Sequence, residues 1–141
     1  MSRIYWDSML FIYWLDDNPH FAKRVASIHA RMSERSDELI TSAITVGEVL
    51  AGVYRKGPKS RVDEVRNTLV SLLSEVVPFT ADTADHYARI RGSMKVASPD
   101  AIHLACAASA GTDLFLTNDK NLLGKIIPGI QFIASLETNV L

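Results

Sequence analysis

The sequence has a single cysteine, no membrane-length hydrophobic run and almost no net charge. Because Cys106 is the only cysteine among 141 residues, no disulfide can form within the chain, and we expect a protein of the reducing cytoplasm. The apolar stretch over residues 4–15 is interrupted by Asp7 and is far shorter than the roughly 20 residues of a membrane span. No signal-peptide cleavage site follows it, so we expect a soluble protein with no membrane partner.

The small charge also limits the kinds of partner. A formal net charge of -1 gives no bulk attraction to nucleic acid, so any such contact depends on local basic patches. Two segments are candidates for holding an RNA backbone: YRKGPKSR contains Lys56 and Lys59, and ARIRGSMK contains Arg89 and Arg91. Solvated surface is the alternative interpretation of both.

Several common catalytic motifs are absent from the sequence. It has no glycine-rich phosphate-binding loop, no Gly-x-Ser-x-Gly nucleophile turn and no zinc-binding spacing of Cys and His. An aspartyl-phosphate phosphatase needs a second Asp two residues after the first, but Met9 stands at that distance from Asp7. Carboxylates therefore remain as the candidate catalytic groups.

Short apolar segments alternate with helical patterns along the chain. We predict strands over residues 4–6, 39–42, 75–79, 113–117 and 129–133. Between them, apolar residues recur at helical spacing, with Asn18, Thr80 and Ser98 as predicted helix caps. Strands joined by helical crossovers indicate a parallel sheet with helices on both faces. We therefore predict an α/β protein, a three-layer α/β/α sandwich, with residues 1–141 as a single domain.

Asp7 is the only ionisable residue in residues 4–15, and no Lys or Arg lies within three residues of it. A carboxylate in apolar surroundings costs several kcal/mol, or takes up a proton, unless a partner compensates it. Parallel sheets bind their ligands at the carboxyl ends of the strands. Asp7 directly follows the first predicted strand and Asp119 follows the fourth by two residues, so both are candidates for a ligand site.

Two further acids lie in unusual positions. Glu48 points away from the apolar stripe of its helix and is flanked by small residues, although a surface glutamate is the simpler interpretation. Asp100 lies in the first turn of a buried helix, where the helix N-terminus alone stabilises it by roughly 0.3–1 kcal/mol. His103 follows Asp100 by one turn and either joins the site or is a locally bonded core histidine.

The four carboxylates indicate a particular kind of site only when they are considered together. Several carboxylates at one point repel and raise one another's pKa values, and a hard divalent cation removes that repulsion. Mg²⁺ prefers oxygen ligands and keeps waters and substrate phosphate oxygens in its coordination shell. Such a site suits phosphodiester hydrolysis, because the metal polarises the phosphoryl oxygen and lowers the pKa of a bound water.

Four segments resemble the successive motifs of the PIN-domain family, in particular the VapC-like toxin ribonucleases. They are YWDS, TVGEVLAG, SPDAIHLACA and FLTNDKNLL with the later IPGI, and they occur in the family's order over nearly the whole chain. The resemblance implies a five-stranded parallel sheet and acidic ligands for Mg²⁺ or Mn²⁺ at Asp7, Glu48, Asp100 and Asp119. Ser8 and Thr117 match positions that hydrogen-bond near the metal. Asn121 stands where many members carry a further acid, so the number of metal ions stays open.

The resemblance also implies a function and partners. We predict a metal-dependent endoribonuclease that leaves a 5′-phosphate and a 3′-hydroxyl, inhibited by a cognate antitoxin. A homodimer is implied too, and the apolar residues of the first helix, among them Phe11 and Trp14, favour an interface. The alternatives are a nuclease or phosphatase of the same architecture, acting on DNA or rRNA precursors, and a module that binds RNA or protein without cutting.

Overall fold

The computed structural model describes residues 1–139 and 141. Five strands are connected mainly by helices, as the sequence predicts, and two helices lie between each pair of successive strands among the first four. The strands are β1 Arg3–Trp6, β2 Glu38–Ser42, β3 Glu75–Val77, β4 Thr112–Thr117 and β5 Ile130–Ser135. The helices are α1 Ser8–Leu15, α2 Ala22–Arg35, α3 Ala43–Lys56, α4 Lys59–Leu72, α5 Ala81–Ser93 and α6 Ser98–Ala110, and a short 3-10 turn spans Lys120–Leu122.

The strands form one sheet in the order β3-β2-β1-β4-β5, and every pairing is parallel. β1 lies at the centre, where Ile4 pairs with Leu39 on one side and with Leu114 on the other. The chain therefore leaves β1 toward one edge and later returns to build the other edge. This reversal opens a crevice at the carboxyl end of β1, which is where open parallel sheets bind ligands.

Hydrophobic side chains cover both faces of the sheet and confirm the three-layer prediction. Along β1, Ile4 and Trp6 belong to the cluster under α1, α2, α3 and α4, while Tyr5 belongs to the cluster under α5 and α6. All three of these β1 side chains are fully buried. The alternation follows from the two-residue period of a strand whose faces are both covered. Packing on both faces thereby holds β1 in place, and with it the backbone of Asp7, which directly follows the strand.

The apolar helix α1 packs within its own chain. Leu10 and Phe11 are 0% and 2% exposed, Tyr13 stacks on Phe21 with ring centroids 4.6 Å apart, and Trp14 lies 5.1 Å from His29. The expectation that these aromatic residues exceed what the core needs is therefore wrong, because α2 covers them. The homodimer itself stays a prediction, without this support.

Two predicted helix starts differ from the structure by a few residues. Asn18 does not cap α2, because its side chain accepts hydrogen bonds from the backbone nitrogens of His20 and Phe21 and closes a separate turn. Helix α6 begins one residue earlier than predicted, with Ala97 as the residue before it. Its predicted end is confirmed at Gly111, which adopts a φ of 70° that glycine takes without strain.

Within residues 1–139 and 141, no helix combines the length and apolar character needed to cross a membrane.

Cys106 lies fully buried in α6 as a free thiol, and burial raises its pKa to about 11. A buried thiol with a raised pKa is a poor nucleophile. Cys106 is therefore not a candidate nucleophile.

Candidate active site

Asp7 lies at the carboxyl end of the central strand, where two neutral donors hold its carboxylate. Its side chain caps α1 by accepting a hydrogen bond from the backbone nitrogen of Ser8 at 2.7 Å. The hydroxyl of Thr117, at the end of the neighbouring strand β4, donates to Oδ2 at 2.8 Å. Ser8 and Thr117, the two residues that were predicted to support the site, therefore both hydrogen-bond to Asp7.

Asp119 follows β4 in a loop that is fixed at three points. Its backbone nitrogen donates to the hydroxyl of Thr117 at 3.0 Å, and its Oδ1 accepts a hydrogen bond from the backbone nitrogen of Asn121 at 2.9 Å. The amide of Asn118 donates to the hydroxyl of Tyr13 at 2.9 Å, which ties the loop to α1. Thr117 thus links Asp7 and Asp119 through a single hydroxyl.

Glu48 and His103 meet across two helices. Glu48 lies on α3 with its side chain 44% exposed, and its Oε1 is 2.8 Å from Nε2 of His103 on α6. His103 is only 4% exposed, and its Nδ1 lies 3.0 Å from the hydroxyl of Tyr5 and 3.1 Å from that of Thr45. Burial raises the pKa of Tyr5 well above its ordinary value, so this phenol keeps its proton.

The four predicted acids line one pocket of about 230 Å³. Asp7 and Asp119 enter it from the ends of β1 and β4, Glu48 from α3 and Asp100 from the first turn of α6. Ser8, Met9, Tyr13, Pro99, His103 and Asn118 complete the walls. A larger cavity of about 730 Å³ lies against β5 and the first residues of the chain, but none of the four acids lines it.

No cation of the described chain neutralises this pocket. The ion pairs that Lys and Arg side chains form within residues 1–139 and 141 involve none of the four acids. The pKa of Asp100 is raised, first by burial and then by the negative charges of Asp119 and Asp7, with His103 opposing the shift. The pocket therefore carries negative charge that raises the pKa of Asp100.

The donor set fits a hard divalent cation. Carboxylate oxygens and a nearby hydroxyl are the ligand types of Mg²⁺ and Mn²⁺, whereas a soft or tetrahedral site needs thiolates or several imidazoles. Among the described residues, no group of three or more acidic, His or Cys side chains lies close enough together to hold a metal ion. Mg²⁺ needs no such group, because it commonly binds one or two carboxylates and fills its remaining positions with waters and substrate phosphate oxygens.

The four predicted RNA-backbone residues are all exposed, and none lines the acidic pocket. Lys56 pairs with Asp16 at 3.1 Å and lies eight residues after Glu48 on α3, about 12 Å along the helix axis. Lys59 begins α4, and Arg91 donates to the carbonyl oxygen of Val96 at 2.9 Å. Arg89 lies on α5 beside a separate small pocket. Their contact with RNA stays a prediction.

The sequence indicated His103 as a candidate for the site but did not identify the residue that it contacts. The spacing of one turn from Asp100 placed His103 near the pocket, but the partner that it contacts is 55 residues away in the chain. A histidine on a helix that is apolar all round is the signal that singles it out. In the structure His103 is a buried, hydrogen-bonded histidine of the core, and it also lines the pocket and contacts Glu48.

The chain is similar to known proteins in sequence and in fold. A family model described as "PIN domain" matches residues 4–125. A crystal structure of VapBC2 from Rickettsia felis, bound to a DNA fragment from its promoter, is similar with a TM-score of 0.74 and 17% identity, covering 94% of this chain and 98% of that one. A toxin–antitoxin complex from Klebsiella pneumoniae is similar with a TM-score of 0.63 and 20% identity, covering 90% of this chain and 94% of that one.

A third similar structure is VapBC-5 from Mycobacterium tuberculosis, a member of the VapBC family of toxin–antitoxin systems. Its TM-score is 0.58 at 21% identity, and the match covers 94% of this chain and 98% of that one. A comparison with curated protein sequences finds no match. At these identities the structural similarities establish the fold, and the residues that the family model matches include all four acids.

Proposed function

Because the chain belongs to the PIN domain family, we propose that residues 1–141 form a single metal-dependent endoribonuclease domain, the toxin of a toxin–antitoxin pair. One observation carries the proposal. Asp7, Glu48, Asp100 and Asp119 line one pocket at the carboxyl end of the central strand. No Lys or Arg of the described residues pairs with them. A divalent cation and a phosphodiester complete such a site.

The four acids would hold Mg²⁺ or Mn²⁺. When bound, the cation supplies Lewis-acid charge that polarises a phosphoryl oxygen and lowers the pKa of water. The residues of the chain hold these acids in position. Asp7 is fixed by Ser8 and Thr117, and Asp119 by the backbone of Asn121. Burial and the negative charges of Asp119 and Asp7 raise the pKa of Asp100, and a bound cation would oppose that shift.

The walls of the pocket fit a single strand of nucleic acid. Met9, Tyr13 and Pro99 add apolar and aromatic surface beside the acids, and bases stack readily on such side chains. Lys56, Lys59, Arg89 and Arg91 would hold the RNA backbone at a greater distance from the pocket. Replacing any of them with Ala should weaken RNA binding in low salt more than in high salt, because phosphate contacts release counterions.

The proposal of an antitoxin partner also rests on the negative charge of the acidic pocket. The similar structures include toxin–antitoxin complexes. We expect a cognate antitoxin to present an Arg or Lys to the pocket of this chain. Arg suits this role because its planar fork binds carboxylates in a bidentate manner. If no single basic-to-Ala replacement in the antitoxin restores ribonuclease activity while the complex stays assembled, steric cover is the better account of inhibition.

The resemblance further suggests a cytoplasmic homodimer. The single buried Cys106 is compatible with a reducing compartment. The exposed Phe132 of β5 and Leu123 line one groove away from the acids and are apolar surface that an interface could use. Sedimentation at micromolar concentration tests the dimer, which a monomer under those conditions would contradict.

The central experiment compares substrates and metal conditions. The purified protein is incubated with single-stranded RNA, single-stranded DNA and a phosphate monoester, each with Mg²⁺ and with EDTA. We expect internal cleavage of RNA only, with 5′-phosphate ends, only in Mg²⁺, and absent from Asp7→Asn. Cleavage of DNA or of the monoester would favour another hydrolase of this architecture. RNA binding without cleavage would favour a binding module, and unchanged cleavage in EDTA would exclude the metal.

A further inference from the structure

His103 joins the acidic pocket to the hydrophobic core by hydrogen bonds on both sides of its ring. Nε2 faces Oε1 of Glu48 at 2.8 Å. On the other side, Nδ1 faces the hydroxyls of Tyr5 at 3.0 Å and Thr45 at 3.1 Å. The ring itself is 4% exposed. A buried imidazole with a partner on each nitrogen cannot turn without losing hydrogen bonds, so its orientation is fixed.

The partners also determine which nitrogen carries the proton. A carboxylate only accepts hydrogen bonds, so Nε2 must donate to Glu48. In the neutral imidazole, Nδ1 is then an acceptor, and both hydroxyls facing it are able to donate. The neutral ring thus satisfies all of its polar atoms without any added charge.

Glu48 has few other restraints. It lies on the exposed side of α3, and the neighbouring Gly47 has open space around the position of a β-carbon. Its second oxygen, Oε2, receives no hydrogen bond from the described part of the chain. Asp7, by contrast, is held by two donors from residues beside it in the crevice. The single bond from His103 therefore decides where the Glu48 carboxylate lies.

We infer that His103 is the positioning residue for Glu48, holding Oε1 from inside the protein and leaving Oε2 to face the pocket. This inference rests on the proposed function, in which Glu48 is one of the metal ligands. Carboxylates that bind metals are commonly hydrogen-bonded by a second layer of residues. Removing such a partner typically costs about 10- to 100-fold in metal affinity. Tyr5 and Thr45 complete the arrangement by orienting the imidazole.

Mn²⁺ binding tests the inference without relying on RNA cleavage. Free Mn²⁺ is measured by electron paramagnetic resonance in titrations of the full-length protein. We expect His103→Leu to weaken Mn²⁺ binding by about 10- to 100-fold. His103→Gln keeps an N–H near the position of Nε2 and should remain within about threefold of the wild type, because its amide can still donate to Glu48.

A double-mutant cycle separates positioning from general damage to the fold. In a Glu48→Ala background, His103→Leu should weaken Mn²⁺ binding by less than about twofold further, because the carboxylate that it positions is gone. Thr112→Val serves as the matched control. It removes a buried hydrogen bond of 2.7 Å to Ala107 near the other end of α6, so it should lower the melting temperature and leave Mn²⁺ affinity unchanged.

The outcomes are distinct. If the wild type binds Mn²⁺ no better than Asp7→Asn does, the proposed function fails, and the inference fails with it. If the wild type binds and His103→Leu binds equally well, or loses as much in the Glu48→Ala background, only the inference is wrong. Should His103→Leu not fold, Tyr5→Phe keeps the stacking on Phe115 and removes one hydroxyl. It should weaken binding several-fold in the wild-type background only, and equal affinity would overturn the inference.

Discussion

The two ends of the sheet carry similar acids in opposite settings. At the amino-terminal end, Asp37, Glu38, Glu75 and Asp113 lie at or beside the first residues of strands. At the carboxyl end lie Asp7, Glu48, Asp100 and Asp119. In the first group Asp37, Glu38 and Glu75 pair with an arginine and Asp113 accepts from the backbone nitrogen of Arg3, whereas the second group has no Lys or Arg partner in the described residues.

Arg3 organises the amino-terminal end. Its two terminal nitrogens lie 2.7 Å from Glu38 and 2.8 Å from Glu75, on strands to one side of β1. Its backbone nitrogen donates to Asp113 on the other side at 2.8 Å. Asp37, whose side chain is 0% exposed, accepts from Arg35 at 2.9 Å. Each acid at this end therefore has a structural explanation within the chain.

The acids at the carboxyl end have no cationic partner of this kind among the described residues. Its acids accept hydrogen bonds from neutral donors, such as Ser8 and Thr117 for Asp7, and these donors fix positions without cancelling charge. In the proposed function, a divalent cation supplies the positive charge that the carboxyl end lacks. The difference between the two ends is the physical basis of the proposed metal site, and it is open to direct tests.

The largest expected effect is on catalysis, at the unpaired end. Asp7→Asn keeps the size of the side chain and removes one charge from the crowded pocket. We expect RNA cleavage to fall by about 100-fold or more, since several kcal/mol of charge stabilisation depend on the cation. The melting temperature without metal should hold or rise, because repulsion is relieved. Cleavage at the wild-type rate would end the ligand assignment.

The matched change at the paired end should do the opposite. The amide of Asp37→Asn has one oxygen and cannot replace both carboxylate oxygens that accept from Ser2 and Arg35, so one of these donors loses its partner. We expect a loss of about 1–3 kcal/mol in the free energy of unfolding, measured by urea denaturation. RNA cleavage per folded molecule should not change. If Asp37→Asn is as stable as the wild type, the pairing at this end contributes less than the geometry suggests.

Arg3→Met sharpens the same comparison with a smaller effect. The change removes both ion pairs and keeps an apolar stem of similar length. Because Arg3, Glu38 and Glu75 are each about a third or more exposed, we expect a loss of only about 1 kcal/mol. The loss should shrink in high salt. A change in Mg²⁺-dependent cleavage would show that the two ends are coupled, contrary to this account.

The smallest expected effect is a pH dependence at Asp100. Its pKa in the folded protein is raised above 3.8 by burial and by Asp119 and Asp7, so the folded state binds this proton more tightly than the unfolded state does. Its contribution to stability is present below pH 3.8 and is lost as the pH rises through the folded pKa. In EDTA, Asp100→Asn should therefore gain stability over the wild type as the pH rises. A constant difference at all pH values would contradict this.

The sequence predicted the parts that depend on local order. Asp7 directly follows a buried strand and Asp119 follows another, and strands joined by helices must be parallel. These facts place both residues at one end of the sheet before any contact is known. The placement of Glu48 and Asp100 also follows, because each lies in a helix that begins at the same end.

Contacts between distant segments could not be predicted from the sequence. The bond between Glu48 and His103 joins residues 55 positions apart, and no spacing rule connects α3 to α6. The aromatic residues of α1 suggested an interface, but α2 covers them inside the chain. The start of α2 was misplaced for a local reason, because the Asn18 side chain stabilises a turn as readily as a helix.

Thermal unfolding with and without Mg²⁺ tests the central claim most directly. The wild type, Asp7→Asn and Asp37→Asn are melted in EDTA and in Mg²⁺ at about ten times its dissociation constant, which stabilises a binding protein by about 1.4 kcal/mol. We predict a rise of a few degrees for the wild type, no rise for Asp7→Asn, and an undiminished rise from a lower start for Asp37→Asn. A wild type that Mg²⁺ does not stabilise, or an equal rise in Asp7→Asn, would contradict a metal site at the carboxyl end of the sheet.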